Sequence, residues 1–121
     1  MTLIFFWANW CGYCRQMYPG INALTEKYAS RPFAVVGVNC DEDRDSGRLA
    51  VGKHKLTFPS WWNGGTAEGR VSDTWLVEAY PTLYLLDETG VIRHKWEGME
   101  DAETIERAVL ALLKKAEKPK K

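Results

Sequence analysis

The stretch Leu3-Ile4-Phe5-Phe6-Trp7-Ala8-Asn9-Trp10-Cys11-Gly12-Tyr13-Cys14-Arg15-Gln16-Met17-Tyr18-Pro19-Gly20 decides the fold. Leu3 to Trp7 is an unbroken apolar, aromatic-rich run of strand length, which reads as a strand covered on both faces inside an α/β sheet. Beyond the cysteines, Met17, Ile21, Leu24 and Tyr28 recur at spacings of four, three and four, one stripe of an amphipathic helix from Cys11 to about Tyr28. Pro19 is expected to kink that helix.

Cys11 and Cys14 therefore sit straight after a buried strand, at the first turn of a helix. Free backbone N–H groups and the positive end of the helix dipole stabilise a thiolate on the leading cysteine, so Cys11 is expected to be the exposed, attacking thiol. Cys14, one turn on and deeper, is expected to stay protonated until it resolves a mixed disulfide with Cys11. A C-x-x-C pair also begins zinc sites, but zinc takes about four ligands and only Cys40, His54 and His94 remain, in no matching pair. No metal is expected, and no cofactor beyond the Cys11–Cys14 disulfide itself. Cys40 reads as a small core residue and the two histidines as surface side chains.

Working outward, Phe33 to Cys40 is a second buried strand, parallel to the first through a helical crossover. Asp41 to Lys55 reads as a short helix with a core patch of Leu49, Ala50 and Val51, and Leu56 to Phe58 as the start of a third strand. Pro59 to Gly69 reads as a loop in which Trp61 and Trp62 anchor the chain or, secondarily, form a recognition surface. A short helix holding Val71, Trp75 and Leu76 follows. Thr82 to Leu86 and Val91 to Trp96 flank the turn Asp87-Glu88-Thr89-Gly90 as a β-hairpin, and Asp101 caps a last helix with Ile105, Ala108, Val109 and Leu112 on its apolar face.

The 121 residues suit a single domain over 1–116, with 117–121 as a basic, disordered tail. Lys plus Arg balances Asp plus Glu at 16 each, so no overall field draws the chain to nucleic acid. No run reaches the roughly 18 apolar residues of a membrane span, and Met1 to Trp10 lacks the basic start and cleavage site of a signal peptide.

The segment FFWANWCGYCRQMYPG resembles thioredoxin, with strand, tryptophan, C-x-x-C and a proline eight residues after the first cysteine. VGVNCDED, LTFPSWW and VEAYPTLYLLDETGVIRHKWEG then follow the order of the TlpA/ResA-like branch of bacterial thiol-disulfide reductases. The resemblance implies a thioredoxin fold: α/β, three-layer α/β/α, a central mixed sheet ending in an antiparallel hairpin, and a C-terminal helix. It implies an extracytoplasmic enzyme that often assists cytochrome c maturation, acting as a monomer on disulfide-containing proteins with an upstream thiol electron donor. It also implies that Pro81 is the cis-proline facing the cysteines and that Tyr80, Trp10, Gly12 and Tyr13 contact substrate.

Three departures qualify that picture. Thioredoxin has a buried aspartate six residues before its first cysteine, where this chain has Phe5, and ResA-like reductases have a glutamate six residues after it, where this chain has Met17. Glu42 is the candidate replacement, expected partly buried near the sulfurs with Asp41 and Asp43 as exposed neighbours; the competing reading is a solvated loop or helix N-terminus. Gly12-Tyr13 is closer to the Gly-His of disulfide isomerases than to thioredoxin's Gly-Pro, which leaves oxidase or isomerase activity open beside reduction. The chain opens on what would be a central strand, so the family's N-terminal segment was either cut away or never present. A non-catalytic binding module is the alternative of a different class, and the intact dithiol argues against it. No lone peroxidatic cysteine in its proline and threonine context appears, which argues against a peroxidase.

Overall fold

The computed structural model describes residues 1–65 and 70–116. The elements run β1 (Thr2–Trp7), α1 (Gly12–Lys27), β2 (Ala34–Asn39), α2 (Arg44–Lys53), β3 (Ser60–Trp62), α3 (Val71–Thr74), β4 (Thr82–Leu86), β5 (Ile92–Glu97) and α4 (Ala102–Ala116). They build one five-stranded sheet in the order β3-β2-β1-β4-β5. β1 lies at its centre, parallel to β2 and antiparallel to β4; β2 and β3 are parallel, and β4 and β5 form the antiparallel hairpin. The expected tail, 117–121, lies outside the described residues.

Side chains alternate across a strand, so β1 feeds two cores. Leu3, Phe5 and Trp7 join Cys14, Met17, Tyr18, Ile21 and Leu24 of α1, Ala50 of α2 and Ile105, Val109 and Leu113 of α4 in one cluster. Phe6, Val38 and Tyr84 form the other, covered by Trp75, Val77 and Tyr80 from the segment around α3. Burying one such side chain contributes roughly 1.5–3 kcal/mol, so three helices on one face and a four-residue helix on the other leave the two sides unequally secured. Phe5 meets Phe58 edge-on at 5.7 Å and is fully buried, an apolar side chain where thioredoxin carries an acid. Gly20 lets α1 approach α4, because a Cβ there would stand 2.8 Å from the Ala102 Cβ.

The third strand is a correction: Ser60–Trp62 pairs with Gly37 to Asn39, whereas Leu56 and Phe58 are buried loop residues. Leu49 faces solvent at 73% exposure, leaving Ala50 and half-buried Val51 as the contact of α2. The helix around Val71 ends at Thr74, so Trp75 and Leu76, expected within it, lie beyond its end, and Leu76 is exposed with a left-handed backbone at φ 54°.

Candidate active site

The loop between β1 and α1 brings the two thiols to the end of the sheet at which the parallel strands finish. Cys11 is the N-cap of α1, its backbone extended at φ −86° and ψ 112°, and its sulfur accepts the Cys14 backbone N–H at 3.2 Å. A cap residue with this geometry satisfies one of the helix's free donors. The Cys11 thiol also reaches the Tyr80 carbonyl at 3.6 Å.

Cys14 is fully buried. Burial pushes its thiol far above the ordinary value of 9.0, the Cys11 side chain adds to the effect, and the backbone amide of Ala8 opposes it. Cys14 is thus the deeper of the two, as expected. Cys11, expected to be exposed, is itself only 5% exposed, its sulfur held between the Cys14 amide and the Tyr80 carbonyl.

Around this pair the rim is aromatic. Trp10 is 63% exposed and meets the Tyr80 ring edge-on at 5.6 Å; Tyr13 and Gly12 face solvent at the start of α1. Pro81 is buried, and the Tyr80–Pro81 peptide bond is cis. Trp10 in the loop before α1, Gly12 and Tyr13 in the first turn of α1, and Tyr80 and Pro81 in the loop before β4 therefore surround Cys11.

The acid at this end of the sheet is Asp41, not Glu42. Glu42 is exposed, whereas Asp41 is buried at 4% exposure, with both carboxylate oxygens accepting the Asn9 N–H at 3.1 and 3.0 Å and one accepting Asn39 Nδ2 at 2.7 Å. Its carbonyl accepts the Trp62 indole N–H at 3.0 Å. Asp43 is exposed, as expected, and caps α2 by accepting the Asp45 N–H. Asp41 thus ties the loop before Cys11 to the ends of β2 and β3. A strand-period argument would have found it: Val35, Gly37, Asn39 and Asp41 continue one side of β2, the side on which Trp7 and α1 pack.

Trp62 is the anchor and Trp61 is exposed at 64%; Arg44 lies over the Trp62 ring at 5.3 Å. Cys40 is half-buried on the opposite face of the sheet, not in the main core. Burial moves its thiol up to about 11, partly offset by its hydrogen bond with the Tyr80 hydroxyl. His94 is exposed and stacked on Trp96, and His54 is half-buried against Tyr18. Among the described residues no three His, Cys, Asp or Glu side chains converge on one point, and no helix is long and apolar enough to cross a membrane.

The profile of the AhpC/TSA family matches residues 1–95. The chain belongs to the AhpC/TSA family. Within this family it is 36% identical over 95 residues to the thioredoxin-like protein YneN of Bacillus subtilis, covering 76% of this chain and 53% of that protein. It is 29% identical over 101 residues to the thiol-disulfide oxidoreductase ResA of Bacillus cereus, covering 84% of this chain and 57% of that one. The chain thus spans a little over half the length of these curated relatives. The crystal structure of a candidate thiol:disulfide interchange protein, DsbE, from Chlorobium tepidum superposes with a TM-score of 0.85 at 30% identity, over 93% of this chain and 79% of that one. The thioredoxin-like fold and the TlpA/ResA-like resemblance of this AhpC/TSA member are both borne out.

Proposed function

We propose that the chain is a thiol-disulfide oxidoreductase that reduces or exchanges disulfides in other proteins through Cys11 and Cys14. The observation that carries this reading is the Cys14 N–H on the Cys11 sulfur, with the Cys14 thiol buried behind it. The Cys11 thiolate attacks one sulfur of a substrate disulfide; a Cys11–substrate bond forms, and the other substrate sulfur leaves as a thiolate. The Cys14 thiolate then attacks the Cys11 sulfur, closing the Cys11–Cys14 disulfide and expelling the second substrate thiolate. Two electrons have passed to the substrate, and an upstream dithiol returns them by the same exchange in reverse. Trp10, Gly12, Tyr13, Tyr80 and Pro81 supply the surface on which the substrate chain rests. We place the activity in an extracytoplasmic compartment, with the chain acting as a monomer, and include the disulfides handled during cytochrome c maturation among its substrates, in line with its resemblance to ResA-like proteins.

Insulin reduction by dithiothreitol tests this directly. The protein is expected to shorten the lag before insulin precipitates, and the double variant Cys11→Ser with Cys14→Ser to restore the lag of dithiothreitol alone. A wild-type protein no faster than dithiothreitol would overturn the reading.

A further inference from the structure

The β-turn that delivers Cys11 to the head of α1 is closed by the Cys11 N–H on the Ala8 carbonyl at 3.1 Å, with Asn9 and Trp10 at its tip. Beyond that closing bond, the backbone groups at the tip of such a turn find no partner within the turn itself. Both groups of Asn9 are nonetheless taken, each by a charged side chain. Its N–H donates to the buried Asp41 carboxylate at 3.1 and 3.0 Å, from the sheet side. Its carbonyl accepts from Nη1 of the Arg15 guanidinium, from the helix side. Hydrogen bonds with a charged partner are roughly twice as strong as neutral ones, so the turn is gripped from two directions.

Arg15 stands one turn into α1, its own N–H bonded to the Cys11 carbonyl at 3.2 Å, where a helical side chain leans back over the preceding turn. Its Nη2 lies 3.7 Å from the point a Cβ on Gly12 would occupy, so the guanidinium spans from Asn9 to Gly12 along the segment that carries Trp10 and Cys11. Holding an exposed arginine in one place sacrifices much rotamer freedom, and here that arginine is held on a main-chain carbonyl at the mouth of the dithiol. The Asn9 carbonyl and the Trp10 N–H belong to one planar peptide unit, so pinning the carbonyl fixes the plane from which the Trp10 side chain springs. Trp10 is exposed, and its ring meets Tyr80 edge-on at 5.6 Å. The orientation of this rim residue therefore depends on its backbone more than on surrounding packing.

We propose that Arg15 is a positioning residue of this site: it pins the Asn9–Trp10 peptide from α1, opposite the grip of Asp41, and so keeps the Trp10 ring seated beside Tyr80 for an incoming protein disulfide. The assignment rests on the oxidoreductase reading above and deepens it, because Arg15 acts on the capture of substrate through Trp10 and takes no part in the exchange of sulfurs. Loss of its guanidinium then weakens substrate binding before it slows turnover, and does so only while the Trp10 ring is present.

The probe is fluorescein-labelled insulin, reduced by the protein with dithiothreitol in excess, and the variant is Arg15→Met, which keeps the apolar stem and the helix propensity while removing every donor. Its KM for insulin is expected to rise about fivefold, as loss of one exposed hydrogen bond allows, with kcat moving by less than about twofold. In a Trp10→Ala background the same substitution is expected to add less than about twofold to KM, because the ring that Arg15 seats is gone and the two changes are not independent. The fivefold rise is expected to persist in about 0.5 M sodium chloride, where attraction between distant charges is screened but a direct contact is not. A KM equal to that of the parent, the same rise with and without the Trp10 ring, a loss confined to kcat, or an effect that vanishes in salt would overturn the assignment. A parent protein that does not reduce insulin overturns the oxidoreductase reading and Arg15 with it; an active parent matched by Arg15→Met overturns Arg15 alone.

Discussion

On one face of the sheet α1, α2 and α4 bury Leu3, Phe5 and Trp7; on the other, Phe6 and Val38 are covered by little more than α3 and its flanking loop. The dithiol is rooted in the first face, through Cys14 and the helix it belongs to, while Tyr80 packs against both clusters and lends its carbonyl to Cys11. The sulfur geometry is thus fixed by the part of the molecule with the most buried apolar contact. Of the surface proposed for a substrate, Trp10, Gly12 and Tyr13 belong to the segment that enters α1, and only Tyr80 and Pro81 to the loop that also covers the second face. Regions with few buried contacts open at lower free energy, so the Tyr80–Pro81 side of the rim is the side expected to adapt around a fixed dithiol.

The sharpest way to break that contrast is at the sulfurs. Cys14→Ser is expected to abolish turnover while accumulating mixed disulfides on Cys11, since attack survives and resolution does not. Cys11→Ser is expected to abolish turnover and to accumulate almost none. Non-reducing electrophoresis of the two variants after incubation with oxidised substrate checks this, and equal trapping by both would show that the buried sulfur is not confined to the second step.

Asp41 joins the centre to the strand ends, and its removal is the next largest effect. Asp41→Ala leaves the Asn9 N–H and the Asn39 amide without their acceptor, at a cost of about 3 kcal/mol given charge-assisted bonds of this kind. Glu42→Gln, on an exposed neighbour, is expected to change stability by less than about 0.5 kcal/mol. Urea unfolding of the two variants settles the order, and equal midpoints would mean that Asp41 does not hold the loop before Cys11.

Much of this was readable in the sequence, and the failures have physical causes. β1 and α1 were legible because Leu3 to Trp7 is apolar throughout and the residues after Cys14 keep a helical period; the hairpin was legible because Asp87 to Gly90 is turn chemistry between apolar runs. β3 was missed because three residues carry no period, and because Leu56 and Phe58 are buried without belonging to a strand. Glu42 was chosen for its place after the buried strand, with Asp41 read as an exposed neighbour, whereas Asp41 is the buried one. Counting alternation from Val35 through Asn39 points to Asp41, but the amide of Asn9 that explains its burial is contributed by a loop 32 positions away.

The smallest effect expected is on the thin face, at Cys40, where it discriminates between openness and ionisation as the source of reactivity. Cys40 is more exposed than Cys11, yet burial moves its thiol up to about 11, whereas Cys11 has an amide on its sulfur. Brief treatment with iodoacetamide at pH 7 is therefore expected to label Cys11 ahead of Cys40, with Cys40 labelling rising as the pH approaches 11. The same shift has a consequence for stability. A thiol whose folded value lies above its ordinary 9.0 binds its proton more tightly in the folded chain, so its contribution is fully present below pH 9 and is lost as the pH rises through about 11. Cys40→Ser is expected to flatten that part of the alkaline decline modestly, because Cys14 remains and is shifted in the same direction. Peptide mapping of the alkylated protein and urea midpoints between pH 7 and 11 provide the two readings. Preferential labelling of Cys40 at pH 7 would show that access, and not the helix N-terminus, governs thiol reactivity in this fold.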